Sequence, residues 1–235
     1  LAETVAGADL VILCTPVGTM PDLAGRLLPH LKAGAIVTDV GSVKAPVVSR
    51  LDPVICPVAH FVGSHPMAGG DQTGIRHSRA NLFQDAACII TPTPRTHPPA
   101  LARVSALWES LGCRLFYLPP DAHDHAVALI SHLPHLLAAT LVQTVARTNP
   151  AALDLAGPGF RDSTRIAMGS APMWDEILRE NAAAIGDAIR ALLSELDAVQ
   201  TALSQGEGLA AFLEGARAAR LGLAGRQNPD RPPIG

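Results

Sequence analysis

The chain has 235 residues, 48% of them hydrophobic, which is enough to bury a sizeable core in one large or two small domains and excludes disorder of the whole. A formal net charge of -3, with only 17% charged residues, supplies no basic face for nucleic acid, so small acidic ligands would have to be met by local cations. Cys14, Cys56, Cys88 and Cys113 contain no C-x-x-C pair, a usage that fits isolated thiols in a reducing compartment, the cytoplasm, better than a disulfide frame or a zinc site.

The first residues, Leu1-Ala2-Glu3-Thr4, do not read as a signal peptide. Asp9 to Cys14 is a short apolar run ending in Thr15-Pro16, as expected of a strand buried on both faces of a parallel sheet. Met20, Leu23, Leu27, Leu28 and Leu31 recur at helical spacing, Gly34 closes that segment, and Ala35 to Val40 supplies the next strand. After Gly41-Ser42-Val43-Lys44 the pattern predicts a short helix to about Leu51. A third strand from His60 should end at Ser64-His65-Pro66. Ala86 to Thr91, a helix around Val104 to Leu111, and Arg114 to Leu118 extend the alternation.

At Pro119-Pro120 the pattern turns helical and strand candidates almost vanish. The expected organisation is an incomplete Rossmann-type α/β part, residues 1–119, an all-α part, 120–224, and a polar, Pro-rich tail, 225–235, expected to be disordered. Ala126 to Ala146 is apolar enough to raise the question of a membrane span, but His132, Pro134 and His135 interrupt it, so a buried helix is expected and no membrane partner. Ile185, Ile189, Leu192, Leu196, Val199 and Leu203 form a seam suited to helix-on-helix packing, either within the chain or between two copies.

In open α/β sheets ligands bind beyond the carboxyl ends of the strands, so Thr15-Pro16-Val17, Gly41-Ser42 and Ser64-His65 should converge on one crevice. A histidine there can accept a hydroxyl proton near neutral pH, and Ser42 could orient it or a cofactor amide; the plain alternative is a turn histidine bonded to backbone. His123-Asp124-His125 with His132 and His135 admits a metal reading, but no acidic third ligand has fixed spacing, and a hydrogen-bonding substrate pocket is preferred. Arg165, in the polar stretch Gly157 to Arg165, has the chemistry to hold a carboxylate bidentately, a surface ion pair being the alternative.

Four ordered motifs resemble the prephenate/arogenate (cyclohexadienyl) dehydrogenase family: Asp39-Val-Gly-Ser-Val-Lys44, Val62-Gly-Ser-His-Pro-Met-Ala-Gly69, Ser131-His-Leu-Pro-His135 and Gly159-Phe-Arg-Asp-Ser-Thr-Arg165. The resemblance runs from Ala8 to about Asn181. It implies oxidative decarboxylation of prephenate or arogenate with hydride transfer to NAD or NADP, in tyrosine biosynthesis, by a homodimer joined through its helical part. It implies catalytic His65 assisted by Ser42, and Arg165 on the ring carboxylate. His132 and His135 would stand around the substrate side chain, with Asp71 nearby as a hint toward arogenate. Cys14, Thr15, Pro16, Val17, Gly41 and Ser42 would border the cofactor, and no metal is required. The family opens on a strand and a G-x-G-x-x-G turn that these 235 residues do not contain, so the chain as given is expected to hold the dinucleotide poorly. The alternatives are a β-hydroxyacid dehydrogenase, disfavoured because no Lys follows Asp121, and a catalytically silent homodimeric metabolite-binding fragment.

Overall fold

The computed structural model describes residues 1–69 and 75–226. A short helix α1 (Ala2–Val5) leads into β1 (Leu10–Leu13), α2 (Met20–Leu27), β2 (Ile36–Asp39), α3 (Ala45–Ile55) and β3 (His60–Pro66). Then come β4 (Ala87–Thr91), α4 (Pro98–Ser110) and β5 (Arg114–Tyr117). The strands lie in sequence order in one five-stranded sheet. β1, β2 and β3 run parallel, β4 is antiparallel to β3, and β5 is parallel to β4. The reversal has a simple cause. No crossover helix is described between β3 and β4, and a chain that returns without one comes back antiparallel.

Alternation along the strands divides the core between the two faces of the sheet. Val37 and Phe61 join Met20, Ala24, Val47 and Leu51 from α2 and α3, whereas Ile36, Val62 and Ile90 join Ala100, Val104 and Trp108 from α4. Each valine, leucine, isoleucine, methionine or phenylalanine among them taken fully out of water contributes roughly 1.5–3 kcal/mol, so both faces are strongly held and the strand register is fixed by them. This is the doubly wound build expected of the N-terminal part.

From Pro120 the described chain is helical: α5 (Pro120–Val127), a π-helical turn (Ala128–His132), α6 (Leu133–Thr148), α7 (Pro158–Thr164), α8 (Ala171–Glu180), α9 (Ala182–Gln205) and α10 (Leu209–Arg226). The chain falls into two compact units, residues 1–186 and 187–235. In the second, α9 gives way to α10 through Gly206 and Gly208, both at positive φ, where a side chain would be strained. α10 includes Gly225 and Arg226, and residues 227–235 of the expected tail lie outside the described residues.

The buried helix expected over Ala126 to Ala146 needs correction. The continuous helical stretch Pro120–Thr148 is long and apolar enough to cross a membrane by length and composition, yet only 28% of its most apolar window is buried. One face, with His123, Asp124, Val127, Ala128, His132, His135 and Ala138, is buried, while Leu129, Ile130, Leu137 and Leu141 are exposed. Periodicity read from sequence cannot tell a side chain covered by its own chain from one left for another surface. The seam on α9 behaves likewise: Ile185 is buried, whereas Leu196 and Leu203 are exposed.

Candidate active site

Pro134 positions the site's histidines through what it lacks. Without an N–H it cannot donate to the carbonyl four residues back, and the preceding turn relaxes into π geometry, closed by Leu133 N donating to Ala128 O. His132 ends that turn and His135 lies in the first turn of α6, and both line a cavity of about 420 Å³. The same cavity is bordered by Ser42, His65, Arg165 and Trp174.

His65 reaches the cavity from within β3, not from a loop beyond it, since it pairs with Ile89 of β4. Its neighbour Ser64 locks the strand ends together. The Ser64 hydroxyl donates to Asp39 O at 2.6 Å, and with its one proton so used it accepts from Thr38 Oγ1 at 2.9 Å and from Trp108 Nε1 at 3.0 Å. Beneath lies Lys44, entirely buried, with its ammonium on Asp39 and donating to Ser64 O at 2.9 Å. Burial lowers the Lys44 pKa and the Asp39 carboxylate opposes that shift. Gly63 makes room for this arrangement, because a methyl there would stand 2.5 Å from Thr91 Oγ1 and 3.0 Å from Val48 Cγ2.

The hydrogen bond that His65 makes comes from a residue outside the expected set. His65 Nδ1 lies 2.8 Å from His123 Nε2, and His123 Nδ1 lies 2.8 Å from Asp124 Oδ1. Asp124 in turn accepts from Lys44 N at 2.7 Å and Ala45 N at 2.9 Å, capping α3 from a helix far away in sequence. Burial, reinforced by the neighbouring His123 and Lys44, holds the His65 pKa well below the usual imidazole value, so the ring stays neutral. His123 is shifted the same way by burial, with Asp124 opposing.

His132 is 1% exposed and is oriented by Asn181, whose amide nitrogen donates to Asp124 O at 2.8 Å and lies 3.1 Å from His132 Nδ1. An amide nitrogen only donates, so Nδ1 accepts and the proton of the neutral ring sits on Nε2, a buried atom without a hydrogen-bond partner among the described residues. Burial pushes the His132 pKa down to about 4. His135 stacks on Trp174, ring centroids 3.6 Å apart, and Gly169 lies so close that a methyl there would be 2.7 Å from Trp174 Nε1.

At the carboxyl end of β1, Cys14, Thr15 and Pro16 are exposed and Val17 is buried; none of the four lines the cavity. Gly41 closes toward this loop, since a methyl on it would meet Val17 Cγ2 at 3.0 Å. Glu176 of α8 accepts from Gly18 N and braces the same loop. Asp71 lies outside the described residues. The structure thus gathers Ser42, His65, His132, His135 and Arg165 at one cavity and sets the β1 loop beside Gly41. Sequence reasoning missed Trp174, Asn181 and the link from His65 through His123 to Asp124. The signal for the last is present, as His123-Asp124 stands in the first helix of the helical part, but grouping it with His132 and His135 points to a substrate pocket and not to a link with His65. Among the described residues no three His, Cys, Asp or Glu side chains group to hold an ion.

A doubly wound sheet that carries a buried neutral imidazole into a cleft walled by helices is the build of a Rossmann-type oxidoreductase. The chain belongs to the prephenate dehydrogenase family: residues 2–117 match that family's nucleotide-binding domain and residues 119–214 its dimerization domain. It is 34% identical over 229 residues to the cyclohexadienyl dehydrogenase of Zymomonas mobilis, spanning 95% of this chain and 78% of that protein. It is 36% identical to the prephenate dehydrogenase of Bacillus subtilis, spanning 94% of this chain and 61% of that one. The structure of prephenate dehydrogenase from A. aeolicus with hydroxyphenyl propionate and NAD+ superimposes with a TM-score of 0.87 at 34% identity, covering 92% of this chain and 76% of the other.

Proposed function

We propose that this protein oxidatively decarboxylates prephenate or arogenate, passing a hydride to NAD(P)+, in the cytoplasm and as a homodimer joined through its helical part. The observation that carries the proposal is the convergence of a buried neutral imidazole, a guanidinium and a hydroxyl on one cavity: His65, Arg165 and Ser42. Bound NAD(P)+ supplies the hydride acceptor. The residues present fit its nicotinamide end: Cys14, Thr15 and Pro16 are exposed at the end of β1, beside Val17, Gly41 and Ser42.

His65 takes the proton of the ring hydroxyl, and its neutrality in the folded protein leaves it able to do so. Arg165 holds the ring carboxylate, whose loss as carbon dioxide is driven by aromatisation once the carbinol carbon is oxidised. His132, together with His135 stacked on Trp174, walls the end of the cavity that takes the keto acid or amino acid side chain. Support for the dimer comes from the exposed apolar faces of Leu129, Ile130, Leu137 and Leu141 and of Leu196 and Leu203, in a segment that matches a dimerization domain. The alternative of a silent metabolite-binding fragment is disfavoured by the 34% identity of 95% of this chain to a cyclohexadienyl dehydrogenase.

The test is nicotinamide reduction by the complete gene product with prephenate and arogenate, each with NAD+ and NADP+. Turnover with any pair is expected. His65→Asn should then lower kcat by roughly two to four orders of magnitude, the usual scale for removing a general base. A folded protein inert in all four mixtures, or a fully active His65→Asn variant, would sink the assignment.

A further inference from the structure

Hydrogen-bond geometry decides where the protons of His65 and His123 reside. Asp124 is held by two backbone donors, Lys44 N and Ala45 N, at the start of α3, which keeps it an acceptor. His123 Nδ1, 2.8 Å from Asp124 Oδ1, must therefore carry a proton and donate it. In a neutral His123 the other nitrogen, Nε2, is then a bare lone pair, 2.8 Å from His65 Nδ1. His65 has to donate from Nδ1, and its own Nε2, on the opposite ring edge, is left without a proton.

A charged His123 would invert this order. It would donate from both nitrogens, force His65 to accept at Nδ1, and place the His65 proton on Nε2, making the ring useless as a proton acceptor. Complete burial of His123, in a site that already holds the Lys44 ammonium, opposes that state.

We propose that Asp124 and His123 are positioning residues that set the tautomer of His65: a chain of two hydrogen bonds, anchored on the N-terminus of α3, holds the His65 proton on Nδ1 and presents Nε2 as the acceptor. The resemblance implies that Ser42 helps to orient His65; the geometry adds a pair on α5, neither of which lines the cavity. Its use in catalysis rests on the dehydrogenase reading; the tautomer itself does not.

Two measurements test the idea separately. In the unliganded protein, long-range 1H–15N correlation of the imidazole rings distinguishes protonated from bare ring nitrogens, with the His65 signals identified by their loss in His65→Asn. His65 and His123 are both expected with the proton on Nδ1, and a proton on His65 Nε2 would overturn the proposal whatever the enzyme's substrate.

The second measurement is kinetic, on the complete gene product. His123→Leu removes the acceptor for His65 Nδ1–H and should lower kcat for prephenate or arogenate roughly 10- to 1000-fold, with KM changed less than about 3-fold. His123→Gln, whose amide oxygen can take over that acceptor role, should recover kcat to within roughly 10-fold of the parent. A Leu variant with parental kcat, or a Gln variant as slow as the Leu one, would assign His123 to packing alone. If the Leu variant fails to fold, the spectrum of the parent protein decides.

Discussion

Acid should weaken this fold through His132, and the loss can be worked out from its surroundings. The ring is 1% exposed, with Asn181 on Nδ1, Trp174 edge-on, and Asp124, His123 and His135 as the ionisable neighbours. Unfolded, it takes up a proton near its ordinary pKa of 6.5; folded, only near 4. Above pH 6.5 both states hold it neutral, and its contribution to stability is intact. Between the two values the unfolded chain binds about one proton more, so stability falls as pH falls, by up to about 1.4 kcal/mol per pH unit, and the loss levels off below 4. Integrated from pH 7 to pH 5, His132 alone costs about 2 kcal/mol. Buried His65 and His123 push in the same direction. Urea unfolding at fixed protein concentration, at pH 7 and pH 5, should therefore show a drop for the parent that is about 2 kcal/mol larger than for His132→Gln, since all other titrating groups are common to both. Equal drops in the two proteins would refute the reasoning.

Other substitutions separate binding, packing and shape. Arg165→Ala should raise KM roughly 10- to 100-fold, the scale of a hydrogen bond to a charged group, with a smaller effect on kcat in steady-state assays. Gly63→Ala should cost about 1–3 kcal/mol in thermal or urea unfolding, because the added methyl collides with Thr91 and Val48 in a filled core. Gly169→Ala should weaken substrate binding while leaving unfolding little changed, since the methyl would meet the Trp174–His135 stack at the cavity wall; titration with a non-reacting aromatic carboxylate checks this.

The parts of the molecule that follow local periodicity were legible in the sequence. Short apolar runs placed all five strands within a few residues, and the motif order brought Ser42, His65, His132, His135 and Arg165 to one cavity. What escaped depends on contacts between distant segments. The antiparallel turn of β4 leaves no mark on its own apolar residues. Asp124 caps a helix that begins 79 residues earlier, and Asn181 orients a ring 49 residues away, pairings that no spacing rule reports. The π turn was half visible, as Pro134 forbids a regular bond there, but what it does for His132 required the neighbouring helices.

Asp124 also ties the two halves of the catalytic unit into one piece. Its carboxylate holds Lys44 N and Ala45 N and its neighbour His123 holds His65, while its carbonyl ties Asn181 to the same helical side, so a swing about the chain at Pro119 would have to break the bonds to Lys44, Ala45 and His65 together. Entry to the cavity must then come from side chains and short loops, with the sheet and α5 moving as a single body. The amides of Lys44 and Ala45 should accordingly exchange with solvent as slowly as those in the centre of the sheet.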